Sequence, residues 1–243
     1  MRLTFRSNDT VQVFRLGTTT NKKIAEPKEK IVQSYTFSKE QFEYVSNCVT
    51  NKVKPIFKEF FALDAKNCFD CPFSINSGNG GCYTHKVIQY SGFISMLKSI
   101  NKEFTSYDEI PTFNPINHTL AITKMAKDRF VRFGSYGEPT LHPIELVETV
   151  SDSSKNWTGY THQWHKNPEF AKYFMASVHN KAQEKSAKVK FNFRSFVATK
   201  TGINEFIQCP ASKEGGLKSN CSKCGLCSGT NGKGSKSVII LVH

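Results

Sequence analysis

The cysteines of this chain are grouped, and the grouping limits which folds can accommodate them. Cys68-x2-Cys71-x10-Cys82 forms one set and Cys209-x11-Cys221-x2-Cys224-x2-Cys227 another, with Cys48 alone, among 243 residues. Disulfide frameworks belong mostly to small secreted domains, whereas the same density in a longer intracellular chain points to metal or redox chemistry. The opening Met1-Arg-Leu-Thr-Phe-Arg lacks the apolar segment and small-residue cleavage site of a signal peptide. No apolar run approaches the roughly 18 residues of a membrane span. The expectation is a cytoplasmic protein without a membrane partner.

In the second group, Cys221, Cys224 and Cys227 stand at i, i+3 and i+6, so a loop can wrap three thiolates around one face of a cubane while Cys209 closes it. Closely spaced cysteines with one more supplied from elsewhere are the ferredoxin-type arrangement. Pro210 beside Cys209, and Ser222, Lys223, Gly225 and Leu226 between the others, suit tight wrapping. Zinc more often takes two separated Cys-x2-Cys pairs, but four-cysteine zinc sites of other spacing exist. The expectation is a [4Fe-4S] cluster, with Zn2+ as the alternative.

Only three cysteines make up the first group. A fourth ligand, Cys48 or His85, would close a structural site; an open position would let an iron bind substrate or cofactor; or the thiols carry no metal. A three-cysteine cluster is the expectation. Cys48 falls inside a helical apolar pattern and reads as a buried core thiol.

Residues 1–35 alternate apolar and polar and read as a hairpin or extended arm. Residues 38–63 have helical spacing, with Phe42, Val45, Val49, Val53, Ile56 and Phe60 on one stripe and Pro55 interrupting it. A Gly-rich loop over 67–83 carries the first cysteines, and residues 90–104 look helical. From residue 118 onward, helices (118–127, 143–150, 168–173, 180–188) alternate with strands (130–135, 157–161, 174–178, 191–199, 237–242). Such alternation implies βα units and a mostly parallel sheet. The units are too few for a closed eight-fold barrel, so the expected fold class is α/β, a partial parallel β/α barrel. Three segments follow: an N-terminal hairpin and helix extension over 1–60, an α/β core over 61–208, and a Cys-rich segment with the last strand over 209–243.

The blocks Cys68-Phe-Asp-Cys-Pro-Phe, Cys82-Tyr-Thr, Val131-Arg-Phe-Gly-Ser-Tyr-Gly-Glu-Pro, Gly159-Tyr-Thr-His-Gln-Trp, Phe174-Met-Ala-Ser-Val and Cys209-Pro-Ala-Ser, followed by Cys221-x2-Cys224-x2-Cys227, occur in this order over residues 64–243. In that order they resemble a family of bacteriophage proteins, the gene product 88-like group, which look like distant members of the radical S-adenosylmethionine (SAM) superfamily. The resemblance implies a phage-encoded protein with a radical-SAM-like partial barrel, a cluster near the C-terminal ends of the strands, and a SAM-dependent reaction on nucleic acid or peptide. Gly137-Glu138-Pro139 is similar to the segment that contacts the SAM amino group in that superfamily. Cys68, Cys71 and Cys82 would hold the site-differentiated cluster, and the second group an auxiliary one. The chain departs from the superfamily's usual Cys-x3-Cys-x2-Cys, which leaves SAM cleavage unassigned.

Other candidates follow the strands. Arg132 stands beside Gly134-Ser135, where it can meet an anionic ligand, Glu138 or a structural partner. Tyr160, His162 and Gln163 end another strand and, with Gly137 and Glu138, are expected to line a cofactor pocket, because ligands gather at strand C-termini in parallel sheets. Arg194 can bind a carboxylate or phosphate, and Trp157 and Trp164 read as core or pocket wall. The net charge of +13 favours nucleic acid as a partner, although Lys rather than Arg supplies the excess. A second class therefore stays open: a zinc-stabilised basic nucleic-acid-binding protein without catalysis. No Walker loop, nucleophile elbow or His-Glu-x-x-His occurs, and the catalytic residues cannot be named from spacing.

Overall fold

The computed structural model describes residues 1–77, 82, 84–203 and 205–241. Ten strands form two five-stranded sheets, in the orders β1-β2-β3-β4-β5 and β6-β7-β8-β10-β9. The strands are β1 (Arg2–Ser7), β2 (Thr10–Gly17), β3 (Ile31–Ser38), β4 (Phe130–Tyr136), β5 (Asn156–Thr158), β6 (Tyr160–Thr161), β7 (Met175–Val178), β8 (Ser195–Thr199), β9 (Ile207–Gln208) and β10 (Val238–Leu241). The helices are α1 (Lys39–Thr50), α2 (Phe57–Ala62), α3 (Ala65–Cys68), α4 (Val87–Asn101), α5 (Asn117–Ala126), α6 (Ile144–Ser153), α7 (Lys181–Phe191) and α8 (Cys221–Cys224).

The hairpin expected at the N-terminus is the antiparallel pair β1–β2, and β3 continues it antiparallel to β2. Then the sense changes: β3 pairs parallel with β4, and β4 with β5. Every pairing in the second sheet is parallel. Residues 2–38, read from sequence as an extension, therefore supply three strands of the first sheet. That β3 is a strand was missed because Ile31–Ser38 is buried at seven of its eight positions, so its polar Ser34, Thr36 and Ser38 gave no alternation to read.

Both faces of the first sheet are covered. Val11, Val13, Phe37 and Tyr136 pack against Phe42, Val45, Phe60, Phe93 and Leu97 of α1, α2 and α4. Phe14, Val32, Val131 and Phe133 pack on the other side against α5 and α6, in a core that runs on through Phe174, Val197 and Ile239 of the second sheet. Phe37, Phe42, Phe60 and Phe61 are fully buried, each contributing about 1.5–3 kcal/mol relative to exposure.

Local chemistry sets the helix limits. Ser38 and Gln41 form a capping box: the Ser38 hydroxyl accepts from the Gln41 amide at 3.1 Å, and the Ser38 amide donates to Gln41 Oε1 at 3.1 Å. The single helix expected over 38–63 is two, α1 and α2, with residues 51–56 non-helical between them. Pro55 cannot donate to the helical ladder and pushes the residue before it out of the helical region. Val49, Val53 and Ile56 consequently end exposed rather than on a core stripe. The helix expected over 168–173 is a 3-10 turn at Pro168–Lys172. The Gly-rich part of the first cysteine loop (78–81), Tyr83 and Val242 lie outside the described residues. No described helix is long and apolar enough to cross a membrane.

Only Gly159 separates β5 from β6, so the chain passes from one sheet to the other through a single residue. Its carbonyl accepts from the Met175 amide at 2.9 Å, and a Cβ there would meet Phe174 Cδ1 at 2.3 Å. That approach requires glycine.

Candidate metal centres around one cavity

A cavity of about 520 Å³ opens beside the C-terminal halves of β4, β6, β8 and β10. Cys68, Cys71, Cys82, Arg132, Gly137, Glu138, Tyr160 and His162 all line it. The three cysteines of the first group thus share one wall system with Arg132, Gly137, Glu138, Tyr160 and His162, whereas Gln163, also expected there, does not line it.

The first group is held on a loop braced by a residue that the sequence reading overlooked. Asp64, fully buried, lies just before α3. Its Oδ1 accepts from Ser74 Oγ at 3.2 Å and Asn76 Nδ2 at 2.7 Å, while Oδ2 meets His85 Nε2 at 3.1 Å. One carboxylate therefore ties the start, middle and end of the cysteine loop. His85 is committed to that brace and packs on Phe61, with ring centroids 4.1 Å apart. Cys48 is buried on α1 in the core, as expected for a structural thiol. Within the loop, the Cys71 amide donates to the Cys68 carbonyl at 3.1 Å and the Cys82 amide to the Phe73 carbonyl at 3.1 Å.

Burial pushes the Cys68 thiol well up, with Asp64, Cys71 and Cys82 adding to it. Burial likewise pushes Cys71 up to about 11, aided by Cys82. Thiols that raise one another in this way stand in one electrostatic neighbourhood. The charge of a bound metal cation works in the opposite direction, favouring the thiolates.

Gly137 and Glu138 meet this loop directly. Gly137 has φ +80°, and a Cβ there would lie 1.9 Å from Thr36 Oγ1 and 2.2 Å from Asn67 Oδ1. The next amide, that of Glu138, donates to the Asn67 carbonyl at 2.9 Å, so the turn after β4 sits against the residue preceding Cys68. The Glu138 carboxylate is buried. Oε1 accepts from the Thr140 amide (3.2 Å) and hydroxyl (3.1 Å), and Oε2 from the His162 amide (3.1 Å). Burial raises its pKa in spite of these donors and the Thr161 hydroxyl. His162 brings Nε2 to 3.9 Å from Cys71 Sγ and stacks on His179, with centroids 5.6 Å apart. Burial lowers its pKa to about 4, with His179 contributing, so its ring is neutral at pH 7. Gln163 does not line the cavity but donates to Asp70, between Cys68 and Cys71.

The second group lies behind Tyr160. Cys209 follows β9, its amide donating to the Ile239 carbonyl at 2.9 Å. Cys221 and Cys224 bracket α8, which Asn220 caps through the Lys223 amide at 3.1 Å. Residues 23–29 buttress this turn. The Cys221 and Ser222 amides donate to the Lys23 and Ile24 carbonyls, both at 2.9 Å, and Ser222 Oγ donates to Glu29 Oε2 at 2.8 Å. Burial raises Cys227 strongly, opposed by the neighbouring Tyr160 and reinforced by Cys221, Cys209 and Cys224. Burial pushes Cys221 up to about 11; Cys209 adds to that and the Arg132 charge opposes it. Lys23 acts in the same sense as Arg132 on Cys209. Arg132 and Tyr160 thus face the cavity and influence the second group together.

Arg194, a candidate anion binder, instead donates to the Gly229 carbonyl at 2.8 Å and the Lys236 carbonyl at 2.9 Å, holding the loop between α8 and β10. Trp157 Nε1 donates to the Tyr173 carbonyl at 2.8 Å. Lys23, Phe73, Ser177, Phe196 and Ile240 line the cavity without having been singled out from sequence. Ser177 and Ile240 lie in the C-terminal halves of β7 and β10, where the strand-end rule applied to those strands would have found them, whereas Phe196 stands near the start of β8.

Among the described residues, no three His, Cys, Asp or Glu side chains are already gathered tightly enough to hold one metal ion. The donor chemistry nevertheless fits a soft-metal centre: three thiols on a cavity and four more behind it, with oxygen donors directed elsewhere by hydrogen bonds. No protein-family model, curated protein or solved structure matches the chain.

Proposed function

We propose that this chain is an iron–sulfur protein with a radical-SAM-like open barrel, and that its cavity binds SAM for a reaction on a nucleic acid or peptide. The observation that carries the reading is the meeting of Cys68, Cys71, Cys82 and Glu138 on one cavity at strand C-termini, with four further thiols immediately behind Tyr160. Parallel α/β sheets bind ligands at that end. The passage from β5 to β6 through the single residue Gly159 supports reading the two five-stranded sheets as parts of one open barrel.

On this reading Cys68, Cys71 and Cys82 hold a site-differentiated [4Fe-4S] cluster, and Cys209, Cys221, Cys224 and Cys227 a fully ligated one. Bound clusters supply one-electron redox chemistry. The protein's part is placement and charge. Glu138 offers an acceptor to an ammonium group entering the cavity. Phe73, Tyr160 and Phe196 limit the water that reaches it, and Arg132 lines the cavity with the first group while its charge acts on Cys221 of the second. The surplus of Lys favours a polyanionic substrate, and such binding weakens steeply with added salt.

Anaerobic purification followed by iron, sulfide and zinc analysis with a visible spectrum, on wild type and on Cys224→Ala, tests the reading. About eight irons and eight sulfides per chain, falling by about half in the variant, are expected for two cubanes. Stoichiometric zinc without visible absorption, from protein made with ample iron, overturns it and leaves the zinc-stabilised nucleic-acid-binding protein in its place.

A further inference from the structure

We infer that the edge of the first sheet made by the N-terminal ends of β3, β4 and β5 binds the phosphate backbone of duplex nucleic acid. The inference goes beyond the reading of the cysteines and does not depend on which metal they hold. It begins with the strand register. Val32 pairs with Val131 and Phe130 with Asn156, so counting back along the parallel ladders brings Lys30, Arg129 and Lys155 into one row across three neighbouring strands. The Lys155 amide donates to the Arg129 carbonyl at 2.9 Å, which carries the pairing as far as that row. Strands lie about 4.8 Å apart, so the backbone sets these three cations across about 10 Å.

Two more join them. Lys127 forms an isolated bridge with Ser154, the residue before Lys155. Lys233 comes from the loop before β10: its Cδ and Asn156 Nδ2 lie 3.6 and 3.5 Å from the point that a Cβ on Gly225 would occupy. Lys30, Lys127, Lys155 and Lys233 are exposed, and among the described residues none of the five cations is ion-paired to an acid. Arg129 donates instead to the Met125 and Lys127 carbonyls at 3.0 and 3.3 Å, fixing the end of α5 against the row. Across residues 28–30, 127–129, 152–156 and 231–236, seven basic residues stand against three acids. One of those acids, Glu29, turns Oε2 to the Glu26 amide and the Ser222 hydroxyl. Like charges opposite one another on adjacent strands are destabilising. A row that keeps them there without acidic partners is a surface that a polyanion would relieve.

The surroundings select the polyanion. A membrane-binding face needs apolar side chains beside its cations to enter the lipid, and none of the exposed large apolar residues falls in these segments. Binding of a single strand relies on aromatic platforms. Of the aromatic residues here, Phe130 is fully buried, and Trp157 packs on the core with Nε1 on the Tyr173 carbonyl. What remains is a row of lysines able to contact phosphates and unable to read bases. β4 is seven residues long, about 23 Å, so this contact is separate from the turn that carries Gly137 and Glu138.

Fluorescence anisotropy on the full-length, anaerobically purified protein tests the inference, with a labelled DNA duplex of about two helical turns, about 20 base pairs, at several salt concentrations. Wild type should bind with log K falling against log salt at a slope of about −4, for four lysines. Lys30→Gln/Lys127→Gln/Lys155→Gln should weaken binding on the order of a hundredfold at about 0.1 M salt and make the slope shallower by about 3. Its metal content should match wild type, and its unfolding midpoint should be no lower. Lys52→Gln/Lys54→Gln/Lys58→Gln, exposed positions in the link from α1 to α2 and in α2, also lies three charges below the wild-type +13 and should bind as wild type does. Equal losses in the two triple variants would show attraction by overall charge alone and overturn the assignment, as would absence of duplex binding by wild type. Tighter binding of the single strand of the same sequence overturns the duplex reading. Retention on phosphatidylserine vesicles that matches duplex binding, and is lost in the first triple variant, overturns it in favour of a membrane surface.

Discussion

Replacing Gly137 by alanine adds one methyl group at the point where the sheet meets the first cysteine loop. The backbone there has φ +80°, a left-handed conformation that costs an L-residue about 1–2 kcal/mol. The new Cβ would also lie 1.9 Å from Thr36 Oγ1, 2.2 Å from Asn67 Oδ1 and 2.7 Å from Asn67 Cγ. Thr36 and Asn67 are fully buried and hydrogen-bonded to each other, so neither can swing into solvent. Overpacking of this kind costs a further 1–3 kcal/mol or so, which brings the expected loss to about 2–5 kcal/mol. With a guanidinium m-value of about 4 kcal/mol/M, the unfolding midpoint falls by roughly 0.5–1.2 M. Gly202→Ala is the control, because a Cβ there meets nothing within 4 Å, and its stability should stay within about 0.5 kcal/mol of wild type. Relief of the clash moves Asn67, and Cys68 follows it in the chain, so on the proposed cluster reading iron content at the first group should fall with stability while the second group keeps its own. A Gly137→Ala protein as stable as Gly202→Ala would refute the packing argument.

Two further outcomes follow from the buried polar groups. His142 is almost fully buried, and burial lowers its pKa to about 3. Its stabilisation is therefore complete above the unfolded value near 6.5 and lost as pH falls, amounting to about 2 kcal/mol between pH 7.5 and pH 5. Denaturant titrations at the two pH values should show that difference shrink by a similar amount in His142→Gln, and an unchanged difference would contradict it. Tyr160 packs against the apolar cluster that contains Cys227, and Tyr160→Phe removes its hydroxyl from that neighbourhood. On the proposed cluster reading, and with iron and sulfide unchanged, potentiometry should find the potential of the second centre lowered by on the order of tens of millivolts, and no shift would show that the hydroxyl does not act on it.

The site was more legible in the sequence than the fold around it. Cysteine spacing and strand-end position are local signals, and they selected Cys68, Cys71, Cys82, Arg132, Gly137, Glu138, Tyr160 and His162, which the structure brings to one cavity. The brace that holds the loop could not be read this way. Asp64 gathers Ser74, Asn76 and His85, and nothing in an isolated Asp distinguishes it from a solvated one. The strand β3 was hidden for a related reason. Thr36 and Ser38 are buried because hydrogen bonds satisfy them: Thr36 contacts Asn67, and Ser38 donates to the Leu63 carbonyl at 2.7 Å. Apolar periodicity does not register such residues. Arg194 shows the opposite error, since a basic residue on a strand suggested an anion site and instead satisfies two backbone carbonyls.

Why a second cysteine group, more than a hundred residues on in the chain, comes to lie behind the cavity that the first one lines is answered by the stretch from Asn156 to His162. On its first side, Asn156 Nδ2 donates to the Ser222 carbonyl at 2.7 Å and the Trp157 carbonyl accepts from Ser228 Oγ at 2.5 Å, so β5 carries the loop of the second group. On its other side, Tyr160 and His162 face the cavity and reach Cys227 and Cys71. Between them Gly159 lets the chain leave one sheet and enter the next, with Phe174 filling the space a side chain would take. Seven residues thus fix both groups relative to each other, and a change at position 159 acts on both. On the proposed two-cluster reading, the separation of the two centres is then set by a covalent strand rather than by two independently folded modules.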